Sequence, residues 1–150
     1  MKVEKYFAII VLFATFILSG CAGTPHLATA SNAAPNLREL PMLKVTVECG
    51  SCEVKPTIPA LIVNSYNAAA SKAGRRISVT DAASLSIKEY SARGDAARFL
   101  AGAFAGKDEI KAVIVYQGKN YVVEDYYRNA WLGIETLAEN IGGLAYMELK

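Results

Sequence analysis

Ile110-Lys111-Ala112-Val113-Ile114-Val115-Tyr116-Gln117-Gly118-Lys119-Asn120-Tyr121-Val122-Val123-Glu124-Asp125-Tyr126 is the stretch that decides the fold class. Two β-branched and aromatic runs flank Gly118-Lys119, a pair suited to a type II′ turn. The first run is apolar at both parities, as in a strand buried on two faces. The stretch therefore predicts a hairpin whose first strand is central.

Working outward, Ser84 to Tyr90 sets Leu85 and Ile87 against Ser84, Ser86 and Lys88, a second alternating strand, and Arg76 to Val79 suggests a shorter one before it. Leu43 to Glu48 alternates in the same way. Between them, Thr57 can cap a helix with Pro59 in its first turn and Ile58, Leu61, Ile62, Ala69 and Ala73 on one side, ended by Gly74. A second helix is expected from Gly94-Asp95 through Ala96 to Ala105. A third is marked by Ala130, Trp131, Ile134, Leu137, Ala138 and Ile141 and is expected to stop at Gly142-Gly143, with a last strand over Leu144 to Leu149. The expected class is α+β: one small domain over 41–150, with a mixed sheet of about 4–6 strands and about three helices.

The N-terminus has a different character. Lys2 and Lys5 precede an uncharged run of 12 residues from Phe7 to Leu18, and Ser19-Gly20 supplies small residues. As a helix the run covers about 18 Å, against a hydrocarbon core of roughly 30 Å, so it is short for a span. Leu18-Ser19-Gly20-Cys21 resembles the complete lipobox of bacterial lipoproteins. That resemblance implies a signal peptide over 1–20, lipidation of Cys21, and acylation of the freed amine. Ala22, where that family's inner-membrane proteins carry Asp, implies the outer membrane of a Gram-negative host, facing the periplasm. Residues 21–40 are small, polar and proline-punctuated and read as a lipidated tether averaging about 25 Å end to end.

Charge is balanced, with 16 Lys and Arg against 14 Asp and Glu, so no nucleic-acid partner is expected. His26, the only histidine, lies in the tether, which excludes His-based triads and His-containing zinc sites from the folded part. Cys49-Gly50-Ser51-Cys52 resembles the redox motif of thioredoxin-like oxidoreductases, which implies a helix starting at the motif and a later proline beside the disulfide. This chain has no proline after Pro59, and Pro56 and Pro59 push the helix start beyond Cys52. A structural Cys49–Cys52 disulfide is the expectation, with redox catalysis and metal binding as the other readings.

Gly102-x-x-x-Gly106-Lys107-Asp108 departs from a phosphate loop in both spacing and its last residue, so Ala101-Gly102 with Ala105-Gly106 is read as a small-residue face for close helix packing. The run from Arg98 to Gly106, followed by an Ile/Val strand, resembles a segment of small bacterial envelope lipoproteins of unknown activity, implying kinship with envelope proteins only. Asp108-Glu109 and Glu124-Asp125 are adjacent pairs that cannot converge on a strand, and solvated faces or helix caps are expected for them. Lys72, Arg75 and Arg76 suit a helix C-terminus. Tyr126-Tyr127-Arg128, with Tyr116, Tyr121 and Trp131 nearby, is the candidate partner-binding surface, with core packing the expectation for at least half of these residues.

No catalytic residue, cofactor or metal site emerges from these patterns. The leading expectation is a lipid-anchored, non-catalytic accessory or assembly protein that binds another envelope component. A periplasmic small-molecule or glycan binder comes next, and a thiol oxidoreductase last.

Overall fold

The computed structural model describes residues 39–94, 96, 106–129 and 131–150. The expected signal, Cys21, the expected tether with His26 as far as residue 38 and, beyond Ala96, the second expected helix with Gly102 lie outside the described residues, whereas Leu40, expected to end the tether, is the buried first residue of the sheet. Among the described residues the order is β1 (Leu40–Val47), α1 (Ile58–Lys72), β2 (Ile77–Ser91), β3 (Asp108–Tyr116), β4 (Lys119–Tyr127) and α2 (Ile134–Leu149). The class is α+β as expected: a mixed four-stranded sheet, with two helices among the described residues. None of these helices is long and apolar enough to cross a membrane.

The sheet order is β1-β2-β3-β4. β1 and β2 run parallel, which requires the crossover that α1 supplies, while β2–β3 and β3–β4 are antiparallel. Both helices cover one face. Ile110, Ala112 and Ile114 of β3 and Ala83, Leu85 and Ile87 of β2 point into that core, where Ile58, Ile62 and Tyr66 of α1 meet Ile134, Leu137, Ala138 and Ile141 of α2. Each buried Ile or Leu side chain contributes about 1.5–3 kcal/mol. Burial pushes the Tyr66 phenol well above its ordinary pKa, and its hydroxyl donates to Pro41 O at 2.7 Å, pinning α1 to β1.

Several expectations are corrected. Gly142-Gly143 does not stop the last helix, and Leu144 to Leu149 is its second half rather than a strand. The reason is packing: a Cβ on Gly142 would lie 2.3 Å from Ile62 O and 2.7 Å from Ser65 Cβ, so only glycine lets the helices touch there. Ile141, Ala145 and Leu149 then continue the buried stripe. The segment before Ile134 is not helical where described, since Asn129 Oδ1 accepts from the N–H groups of Trp131 and Leu132 in a local turn.

The short strand expected over Arg76 to Val79 and the one over Ser84 to Tyr90 are a single long strand that starts at Ile77. Between them Ser78 Oγ accepts from the N–H groups of Thr80 and Asp81, in the irregularity where the β1–β2 register shifts. The hairpin turn is centred on Gln117-Gly118, with φ of 49° and 74°, the type I′ pattern rather than II′. β3 lies centrally, as expected, but is covered on one face: Val115 is 45% exposed. On α1 the buried stripe is Ile58, Ile62, Tyr66 and Ala70, and Ala73 is exposed.

Candidate functional site

The sheet has two distinct ends. Leu40, where the described chain enters β1, pairs with Ile77, at the same end as the Gln117-Gly118 turn. At the other end Asp108 pairs with Tyr127, and the chain turns toward Trp131. That second end is fastened by an ion pair hidden from solvent. Arg93 and Asp108 side chains are 4% and 0% exposed. Arg93 Nε and Nη2 donate to Asp108 Oδ2 at 3.3 and 3.0 Å, and the Arg93 N–H donates to Asp108 Oδ1 at 2.6 Å. Nη1 donates to Arg128 O at 3.2 Å and Nη2 also to Asn129 O at 2.7 Å. One side chain thus joins the ends of β2, β3 and β4, with each guanidinium nitrogen donating at least once.

This overturns the solvated reading of Asp108. Glu109, its neighbour, faces the other way as adjacent strand residues must, and pairs with Lys107. Arg93 was not singled out in the sequence. Its signal, a lone arginine after a strand, gains meaning only once the fold sets it against Asp108.

The clasp holds the backbone that presents Tyr126 and Arg128. Tyr126 is 55% exposed on the uncovered sheet face, with Lys107 Nζ 5.4 Å and Arg128 Cζ 5.9 Å from its ring centroid. Trp131, 87% exposed, follows in the next turn. Tyr127 does not join them: it lies on the helix side, its hydroxyl accepting from Asn140 Nδ2 at 2.6 Å. Tyr116 donates to Asp81 Oδ2 at the far end of the sheet, and Tyr121 packs against the core. Of the expected surface, Tyr126 and Arg128 come together, and Lys107 is the member the sequence reading missed.

Cys49 and Cys52 have Cα atoms 5.7 Å apart, within disulfide reach, in the turn that leaves β1. α1 begins at Ile58, past Pro56, rather than at the cysteine motif as a thioredoxin-like site requires. Lys55, following that turn, pairs with Glu135 of α2 at 2.6 Å. Glu124 and Asp125 split as expected: Glu124 is 3.7 Å from Lys111 on the uncovered face, and Asp125 accepts from Asn140 at 2.8 Å on the helix side. At the end of β1, the Glu48 carboxyl is held below its usual range, chiefly by the Lys88 hydrogen bond and then by Ser86. Lys72 lies in the last turn of α1, where its charge complements the helix dipole. No cluster of three metal-ligating side chains occurs among the described residues.

No protein-family model matches the chain, and it matches no curated protein.

Proposed function

We propose that the chain is an outer-membrane lipoprotein, anchored through Cys21, whose periplasmic domain binds another envelope protein without itself catalysing a reaction. The observation that carries the binding reading is the cation-flanked Tyr126, set with Arg128 and Lys107 at the end of the sheet opposite the point where the chain enters β1. Tyr, Trp and Arg are the residues that dominate protein interfaces, and a buried ion pair here fixes the backbone that displays them. The anchoring part rests on Leu18-Ser19-Gly20-Cys21 and Ala22. We read the cysteine pair as structural, because the helix dipole that would activate a thiolate is displaced to Ile58.

Two measurements test this reading. Mass spectrometry of the membrane fraction should find a chain that starts at acylated Cys21, and an N-terminus elsewhere sinks the anchor. A photo-crosslinking residue in place of Tyr126 should give a discrete protein adduct in cells that Arg128→Glu abolishes. The same residue in place of Val79, 89% exposed at the opposite end, should give none. Equal labelling from both positions would sink the binding surface.

A further inference from the structure

The two edges of the sheet are not equivalent. β1, one edge, carries Pro41 and a register irregularity at Leu40/Met42, two devices that discourage a further strand. β4, the other, is nine residues long, contains neither proline nor glycine, and pairs with β3 without a register shift.

Tyr116 and Lys119 pair across a two-residue turn, so odd-numbered residues of β4 exchange backbone hydrogen bonds with β3 and even-numbered ones point away. Asn120, Val122 and Glu124 therefore turn N–H and C=O outward, and among the described residues none has a backbone partner on that side. At Tyr126 the row closes, because Asp125 Oδ1 takes its N–H at 2.8 Å.

Exposed apolar side chains flank this edge on both faces: Val122, 59% exposed, on the uncovered face, and Leu144 and Met147, 38% and 54%, on the helix side. An added strand alternates its side chains and would cover both sets at once. A cleft of about 730 Å³ runs from Glu124 and Asp125 over α2, past Glu139, Leu144 and Met147, and no lysine or arginine is among the described residues that line it.

We infer that the outer edge of β4 takes an extended segment of a partner protein, carrying lysine or arginine between apolar residues, as a fifth strand. The apolar residues of the segment lie on Leu144 and Met147, on the helix side, and its cations meet Glu124 on the opposite face. Strand addition through main-chain bonds with alternating side-chain pockets is an established mode of peptide recognition. A second copy of this chain fits less well, since edge-to-edge pairing brings the acids of both copies to one seam. The inference rests on the partner-binding reading above and gives it a mode.

The test uses the full chain in detergent and two eight-residue probes, one alternating Lys and Val, the other Glu and Val, followed by amide hydrogen exchange. The Lys/Val peptide should slow exchange at Val122 and Glu124, and the Glu/Val peptide should not. Val122→Pro removes one outward donor and no ladder bond, so it should keep the fold and abolish the protection. Glu124→Lys should weaken the Lys/Val peptide about fivefold and reverse the preference between probes. It decides the matter if the proline variant fails to fold.

Equal protection by both probes, protection away from β4, or undiminished binding by folded Val122→Pro overturns the inference. So does self-association that Val122→Pro removes, which would assign the edge to a second copy. A Tyr126 crosslink that survives Val122→Pro overturns strand addition while leaving the partner-binding reading intact.

Discussion

Gly142 and the Arg93–Asp108 pair fasten the domain in opposite ways. At Gly142 two helices meet because a side chain is missing: backbone and Ser65 occupy the space a Cβ would need, and the contact is steric. At Arg93–Asp108 three strand ends meet because two charges are present, and removing either strands the other in a buried site. The first contact tolerates no added atom; the second tolerates no missing one. A buried ion pair adds little net stability over an apolar replacement, but breaking it is costly.

The largest expected effect breaks the ionic side of this comparison. Asp108→Ala should destabilise by about 3–5 kcal/mol, measured by thermal or urea unfolding. The Arg93→Met, Asp108→Leu double variant should recover most of that loss while shifting the Tyr126 crosslink. A double variant no more stable than Asp108→Ala would show that the pair does more than neutralise itself.

Next comes the steric side. Gly142→Ala should cost about 3 kcal/mol through overpacking against Ile62 O, whereas Gly143→Ala, with no atom within 4 Å of its Cβ position, should gain about 1 kcal/mol of helix propensity. Equal effects at the two glycines would remove the close approach.

Replacing Cys49 and Cys52 by serine should cost about 2 kcal/mol, the entropy of a short closed loop, with the fold retained by circular dichroism. Complete unfolding would mean that the bridge holds more than its own turn.

Tyr66→Phe should cost about 1 kcal/mol for the lost bond to Pro41 O. It also has a pH signature. The folded-state phenol pKa is raised above its ordinary 10.0, mainly by burial, so the neutral form is favoured in the folded chain. The stability this confers is complete below pH 10 and falls as pH rises beyond it. Tyr66→Phe should flatten that alkaline decline, and an unchanged alkaline midpoint would refute the assignment.

The smallest effect belongs to the surface. Lys55→Ala should change stability by less than about 1 kcal/mol, because both partners are about half exposed and solvent screens their pairing. A larger loss in unfolding experiments would show Lys55 anchoring the turn to α2.

The sequence by itself determined the hairpin of β3 and β4, the alternation of β2, the start of α1 near Pro59 and its end at Gly74, and the opposite faces of Glu124 and Asp125. Those follow from local chemistry: period-two burial, ring constraint at proline, positive φ at glycine, and the geometry of adjacent strand residues. The tertiary structure decided that α2 runs through Gly142-Gly143, since only the closeness of Ile62 makes a glycine preferable to a better helix former there. It decided that β2 is continuous through Thr80-Asp81-Ala82, which are exposed and so leave no burial pattern to read. It decided too that Asp108 is buried and Glu109 is not, because alternation says that neighbours part but not which face is covered. Arg93 and Asp108 stand 15 residues apart, and no local rule joins them. Only folding brings the strand ends together, excludes water, and makes that pairing the arrangement in which neither charge is left alone.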